Sequence, residues 1–259
     1  MDTLTNRLQQ GSQYFVYTRD QLFALRTRIH AGKVYPIPEE LVRRYRGSRA
    51  GALVKARRLQ KRWRFKPAIP SFVMGNVNSL ANKTDELAAL VMNVKLYREC
   101  SLLCLTETWL TSNIPDLNVE LPGFTTVRAD RDLKLSGKRK GGGLALYVNI
   151  RWCNPGHVTV KETICCPDIE VLAVSLRPYY MPREFSHALV VCVYIPPRAT
   201  VEVACDTIYS VIAGLQTQHP EAFIAISGDF NHVTLDSTLP AFHQFVSCPT
   251  RKNRTIDLT

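Results

Sequence analysis

From residue 71 onward the chain alternates short apolar runs with polar residues. Some runs have the length of a strand, whereas two longer segments place apolar residues at helical spacing. The pattern predicts many strands and few helices, which is typical of packed sheets with helices outside them. The predicted strands cover residues 71–76, 102–107, 144–148, 171–176, 188–195 and 223–229, and the predicted helices cover residues 83–96 and 203–216.

The last of these predicted strands ends in Gly228, Asp229, Phe230 and Asn231. A buried strand that ends in this way brings a carboxylate and an amide to one point. An aspartate in that position can hold a cation or take a proton from water. Gly, Asp and Asn are also common turn residues, and this segment considered alone favours an ordinary turn.

The same construction recurs in three other places. Apolar runs end in Asn76 and in Glu107, and the short run 254–256 is followed by Asp257. Oxygen ligands without a matching His or Cys cluster suit Mg²⁺ or Mn²⁺ rather than zinc. A divalent cation beside carboxylates and amides is what hydrolysis of a phosphate ester requires, because charge grows on the phosphoryl oxygens in the transition state. The alternative is that each residue belongs to a separate turn.

Prolines indicate where the folded domain begins. Pro67 and Pro70 place the boundary near Ala68, so we predict a partly disordered N-terminal extension over residues 1–68 and a folded domain over residues 69–259. The apolar content of 46% can supply a substantial core. No apolar run reaches the roughly 18 residues that cross a bilayer, and residues 1–11 have no signal-peptide core. We therefore expect no membrane partner and a nuclear or cytoplasmic location, not a secreted protein.

The net charge of +11 comes from one segment. Residues 43–66 contain eleven Lys and Arg residues and no Asp or Glu, so the rest of the chain is neutral overall. Such a basic arm is attracted to nucleic acid phosphates by counterion release. The alternative is a solvated linker that keeps the chain soluble or directs it to the nucleus. The candidate nucleic-acid-binding residues are Arg43, Arg44, Arg46, Arg57, Arg58, Lys61 and Arg62.

Six motifs, in this order along the chain, carry a resemblance to a known family. They are GNVNSL at 75–80, CLTETWL at 104–110, GGGLALY at 141–147, VYIPP at 193–197, SGDFNH at 227–232 and TIDL at 255–258. Together they resemble the endonuclease/exonuclease/phosphatase superfamily. More narrowly, they resemble the apurinic-endonuclease-like domain of LINE-type, non-LTR retrotransposons, in which a basic segment also precedes the first strand. The resemblance covers residues 71–259.

The resemblance implies a fold and an activity. The fold is an α/β four-layer αββα sandwich, in which two packed mixed sheets are flanked by helices. The activity is that of a hydrolase, a magnesium-dependent endonuclease that cuts phosphodiester bonds in nucleic acid, with Mn²⁺ as an alternative cofactor and DNA or RNA as the partner. A nucleic-acid-binding module whose catalytic residues are vestigial, or a phosphatase of lipid or inositol head groups, remains an alternative.

The resemblance also implies roles for the residues that bind metal and activate water. Carried over by position, Glu107 matches the glutamate that fixes the metal ion against the phosphate. Asp229 matches the aspartate that orients or deprotonates the attacking water. Asn78 stands where the repair enzymes carry an aspartate, which weakens a second contact to the metal ion.

The other matched positions concern the phosphate and a histidine. Asn76 and Asn231 match amides that hold the phosphate and the catalytic aspartate. Tyr194 matches a phenol that contacts a phosphate oxygen, and Asp257 matches an aspartate that orients a catalytic histidine. His232 is not at that histidine position and is given no role.

One element of the family pattern has no counterpart in these 259 residues. The family completes its site with a Ser-Asp-His type motif on the last strand, well after the position of Asp257, and this sequence stops at Thr259. The expectation is therefore a C-terminally truncated retroelement endonuclease, without its final strands and with impaired activity, because the charge on the phosphate lacks one partner.

Overall fold

The computed structural model describes residues 67–138, 141–248 and 250, together with the backbone of three strands at residues 7–10, 13–16 and 257–258. The chain divides into two units, Met1–Arg58 and Leu59–Thr259. In the first unit, β1 (Arg7–Gln10) and β2 (Gln13–Val16) pair in antiparallel orientation. The predicted basic arm at residues 43–66 lies outside the described residues.

The second unit contains a four-stranded sheet. Its strands are β3 (Phe72–Asn76), β4 (Leu102–Thr106), β5 (Phe124–Ala129) and β6 (Leu144–Asn149). The order is β3-β4-β6-β5, in which β3 and β4 are parallel and the other pairs are antiparallel. Helices α1 (Thr84–Asn93) and α2 (Lys95–Glu99) follow β3, a 3-10 helix (Asp116–Val119) precedes β5, and α3 (Leu133–Ser136) follows β5.

The second sheet of this unit has five strands. They are β7 (Cys153–Cys165), β8 (Glu170–Pro178), β9 (His187–Tyr194), β10 (Ala222–Asp229) and β11 (Asp257–Leu258). The order is β11-β10-β9-β8-β7, and only β9 and β10 are parallel. Helix α4 (Val201–Gln218) connects β9 to β10.

Successive side chains of a strand point to opposite faces of its sheet, so each buried strand contributes apolar side chains to the layers on both sides. Leu102 and Cys104 of β4 pack with Val190 and Cys192 of β9 in one buried cluster between the sheets. The neighbouring side chains point the other way, as Leu103 does when it packs against α1. On the outer face of the second sheet, α4 buries Ile208, Val211, Ile212 and Leu215 against Leu189, Val191 and Ile226.

These clusters give four layers in the order helix, sheet, sheet, helix. The predicted α/β sandwich of two mixed sheets flanked by helices is therefore confirmed. Full burial of one aliphatic side chain contributes about 1.5–3 kcal/mol, so the sheet-facing residues of α4 hold the helix on the second sheet. No helix in the described part of the chain combines the length and the hydrophobicity needed to span a bilayer.

Several predicted elements need correction. Residues 128–138, for which no helix or strand is predicted, include the end of β5 and all of α3, where Asp132 Oδ1 accepts the Lys134 N–H at 2.7 Å. Strands β5 and β7 had not been predicted, because β5 is half-buried throughout and β7 is mostly exposed, so neither has a strong apolar pattern. The predicted helix at 83–96 is interrupted at Val94, whose backbone is extended.

Candidate active site

Polar residues from both sheets meet at one end of the sandwich. Asn76 is the last residue of β3, Glu107 follows β4, Tyr194 is the last residue of β9 and Asp229 is the last residue of β10. Among the described strands these form two parallel pairs, so their carboxyl ends reach the same edge. The predicted convergence of chain-distant polar groups is thus present in the structure.

Three side chains hold the Glu107 carboxylate. Asn76 Nδ2 donates to Oε1 at 3.1 Å, and the Tyr194 hydroxyl donates to the same oxygen at 2.8 Å. Trp109 Nε1 donates to Oε2 at 3.2 Å. Glu107 has φ +52°, a left-handed conformation that costs of order 1–3 kcal/mol in a residue with a side chain. The surrounding contacts therefore fix both the backbone and the carboxylate of Glu107.

Asp229 forms the floor of the site and is only 1% exposed. Asn76 Nδ2 donates to its Oδ2 at 3.0 Å, and the Asn231 backbone N–H donates to its Oδ1 at 3.1 Å. Asn231 has φ +52° and uses its side-chain amide to donate to the Ile195 carbonyl at 2.7 Å. The two asparagines thus orient the aspartate from opposite ends of its carboxylate.

The remaining predicted site residues are less closely involved. Asn78 is exposed, and its backbone N–H donates to Asn76 Oδ1 at 3.2 Å. Asp257 lies in β11, where it is the register partner of Asp229, and its side chain is outside the described part of the structure. The predicted metal contact of Asn78, the role of Asp257 and the seven basic residues of the arm stay predictions.

Burial raises the pKa of the Tyr194 phenol well above its ordinary value of 10.0, and the hydrogen bond to Glu107 and the charge of that residue act in the same direction. The phenol therefore stays protonated near neutral pH. It remains a hydrogen-bond donor to Glu107 throughout the working range of an enzyme.

Sequence reasoning missed three residues around the site. Trp109 stands in the CLTETWL motif, but no role was assigned to it. The Arg131 guanidinium lies 5.6 Å from the centroid of the Tyr194 ring, and Arg131 forms a buried ion pair with Glu170. Glu170 directly precedes the apolar run 171–176, and this position was a signal in the sequence. A carboxylate buried there needs a positively charged or hydrogen-bonding partner.

The oxygen atoms of the site suit a hard cation held by one carboxylate. Glu107 Oε1 accepts two hydrogen bonds and Oε2 accepts one, so a lone pair on Oε2 is left for a metal ion. Mg²⁺ commonly uses one or two carboxylates and takes its other ligands from water and substrate phosphate. Among the described residues no group of three or more His, Cys, Asp and Glu side chains could hold a metal ion, so a zinc cage does not fit this part of the chain.

No protein-family model and no curated protein matches the chain. Similar solved structures include humanized D. rerio TDP2 carrying 14 mutations, with 14% identity and a TM-score of 0.42 over 66% of this chain and 65% of that one. The endonuclease domain of TRAS1, a telomere-specific non-LTR retrotransposon, has 15% identity and a TM-score of 0.44 over 73% and 83% of the two chains.

A third similar structure is the AP endonuclease LMAP from Leishmania major, with 18% identity and a TM-score of 0.46 over 62% of this chain and 55% of that chain. The chain thus spans 65% and 55% of the TDP2 and LMAP chains.

Proposed function

We propose that this chain is an endonuclease domain of the non-LTR retrotransposon type, which hydrolyses phosphodiester bonds in nucleic acid with Mg²⁺ or Mn²⁺. The observation that carries the proposal is the Asn76 side-chain amide, which donates to Glu107 and to Asp229 from one nitrogen atom. Two carboxylates within hydrogen-bonding distance of one atom repel each other, so the site favours a cation.

Each residue has a distinct task in this proposal. A bound cation would supply positive charge to the phosphoryl oxygens in the transition state. Glu107 Oε2 would hold that cation, while Asn76 and Tyr194 keep the carboxylate in place through Oε1. Asp229, fixed by Asn76 and by the Asn231 N–H, would accept a hydrogen bond from the attacking water and orient it toward phosphorus.

The charge distribution supports nucleic acid as the substrate. The eleven basic residues in segment 43–66 would neutralise phosphates along a DNA or RNA strand and make binding steeply salt-dependent. The same arm favours a second candidate function, that of a nucleic-acid-binding module without catalysis. The two candidate functions differ in whether the bound nucleic acid is cleaved.

Nicking of supercoiled plasmid by the purified chain tests the proposal. We expect slow nicking, in keeping with the impaired activity that the sequence predicts, that requires Mg²⁺ or Mn²⁺ and stops on chelation. Glu107→Gln keeps the size of the side chain and removes its charge, so it should lower the rate by about 100-fold or more, comparable to the loss of one electrostatic contact in other enzymes. Glu120→Gln makes the same change at an exposed position after the 3-10 helix and serves as the control.

Two results would contradict the proposal. Equal nicking by the parent and by Glu107→Gln would show that cleavage does not depend on this site. Salt-dependent binding of the plasmid without any product would instead favour the binding module.

A further inference from the structure

A buried ion pair lies beside the candidate active site. Arg131 Nε donates to Glu170 Oε1, and the two side chains are only 5% and 4% exposed. Glu170 Oε2 accepts the Gly143 backbone N–H at 2.6 Å, so both carboxylate oxygens have donors. A buried charge is tolerated when it is paired and hydrogen-bonded. None of the tasks proposed above for the site residues uses either side chain.

The ion pair packs against Tyr194. Glu170 begins β8 and is the register partner of Tyr194 at the end of β9. The Arg131 guanidinium lies 5.6 Å from the centroid of the Tyr194 ring, within the range of a cation–π contact. The hydroxyl of the same tyrosine donates to Glu107 Oε1 at 2.8 Å. A continuous set of contacts therefore leads from the ion pair to the carboxylate that would hold the cation.

The glycine segment before β6 leaves room for the guanidinium. A Cβ atom on Gly142 would lie 2.0 Å from Arg131 Cζ, and the backbone there has φ +72°. The carbonyl of Gly142 accepts the Trp109 N–H at 2.9 Å, and the carbonyl of Gly143 accepts the Thr108 N–H at 3.2 Å. The glycine segment that encloses Arg131 is thus hydrogen-bonded to the two residues that follow Glu107.

We propose that Arg131 and Glu170 are positioning residues for Glu107 that act mainly through Tyr194. Arg131 holds the tyrosine ring, and Glu170 holds both Arg131 and the Gly143 backbone. The Tyr194 hydroxyl then keeps Glu107 Oε1 occupied and leaves Oε2 for the cation. This inference rests on the proposed function in one respect, namely that Glu107 binds a divalent cation.

The test replaces the ion pair by neutral side chains of similar shape. Arg131→Met with Glu170→Gln removes both charges together, and the glutamine can still accept the Gly143 N–H. Replacing both partners avoids leaving an unpaired buried charge, which would destabilise the fold. The double variant is made in the parent and in a Tyr194→Phe chain, and Mn²⁺ affinity is measured by electron paramagnetic resonance.

We expect the double variant to weaken Mn²⁺ binding about tenfold in the parent, as the loss of groups that orient a metal ligand does elsewhere. In the Tyr194→Phe chain the same change should weaken binding less than about twofold, because the hydroxyl through which it acts is already gone. The control is Arg128→Met with Asp130→Asn, which removes a partly buried ion pair away from the Tyr194 ring; Arg128 also pairs with the exposed Asp116. Mn²⁺ affinity should change little in the control.

Equal losses in the two backgrounds, or no loss in either, would overturn the positioning role while Mn²⁺ binding by the parent still supports the cation site. A parent chain that binds no Mn²⁺ would overturn the proposed function and this inference together. Thermal unfolding followed by circular dichroism identifies a variant that fails to fold. In that event Arg131→Lys is used, which keeps the charge but not the planar group over the ring. It should weaken Mn²⁺ binding by a smaller factor in the parent and not in the Tyr194→Phe chain. Equal effects in both chains would overturn the inference.

Discussion

At the scale of single residues, Asn76 connects the two sheets at the candidate site. Its Nδ2 donates to a carboxylate from each sheet, and its Oδ1 accepts the Asn78 N–H. An amide side chain can donate twice and accept at the same time without adding a charge. An aspartate has the same shape but would place a third carboxylate against Glu107 and Asp229.

We therefore predict that Asn76→Asp destabilises the protein near neutral pH and that the deficit shrinks as the pH falls. Repulsion from Glu107 and Asp229 raises the pKa of the introduced carboxyl in the folded state above its unfolded value. The folded variant therefore binds more protons, and its stability relative to the parent falls as pH rises. Urea unfolding of the parent and the variant from pH 4 to pH 7, without divalent cations, measures this. Asn118→Asp, at an exposed position in the 3-10 helix, is the control. A deficit that is constant with pH would contradict the prediction.

At the scale of elements, the parallel pair β9 and β10 brings Tyr194 and Asp229 side by side. The two residues are register partners, and the preceding pair is Val193 and Gly228. A Cβ atom on Gly228 would lie 1.9 Å from the Val193 carbonyl oxygen. Gly228 thus permits a close backbone approach immediately before the catalytic aspartate of the proposal.

We expect Gly228→Ala to destabilise the protein by about 1–3 kcal/mol, because one of the two strands must move to admit the methyl group. The matched control is Gly214→Ala within α4, where a Cβ atom meets nothing within 4 Å. That change should stabilise the protein by roughly 0.5–1 kcal/mol through the higher helix propensity of alanine. Urea unfolding of the three chains gives both values, and equal effects of the two alanines would contradict the close approach.

At the scale of the whole molecule, folding buries several acidic groups in their protonated form. Burial raises the pKa of Cys153 from its ordinary value of 9.0 to about 11 and that of Cys100 to about 12. The pKa values of Tyr147 and Tyr194 are also raised by burial above 10.0. The folded chain therefore keeps protons that the unfolded chain releases in alkaline solution.

Stability should accordingly fall as the pH rises above about 9, because the unfolded state then binds fewer protons than the folded state. One such group contributes at most about 1.4 kcal/mol per pH unit. Urea unfolding under reducing conditions from pH 8 to pH 10 measures the slope. Cys100→Ala should make the slope shallower, because it removes one of the thiols whose pKa burial raises. A free energy of unfolding that is flat over this range would contradict the prediction.

The elements that could be predicted from the sequence are those with a strong local pattern of apolar residues. Strands β4, β6 and β9 carry almost unbroken buried apolar residues, and α4 repeats its apolar residues at helical spacing, so the local pattern was sufficient. Strand β7 is exposed along most of its 13 residues, so its sequence has no apolar face to detect. Its pairing with β8 is what makes it a strand.

Some residues of the candidate site could likewise be predicted from a local pattern, and others could not. Glu107 and Asp229 were predicted because each ends an apolar run, which is a local feature. The ion pair of Arg131 and Glu170 was missed because its partners are 39 residues apart and neither resembles a site residue by itself. The basic arm is evident from charge alone, and its contact with nucleic acid stays a proposal.

The sequence by itself determined where most strands run, which side chains alternate between their faces and which polar groups stand at their ends, since these depend on residues close together along the chain. Only the tertiary structure decided that those ends share one edge. Asn76 and Asp229 are 153 residues apart, and they meet because two parallel strand pairs in separate sheets pack face to face. Contact at that separation depends on register and sheet packing, which no local pattern specifies.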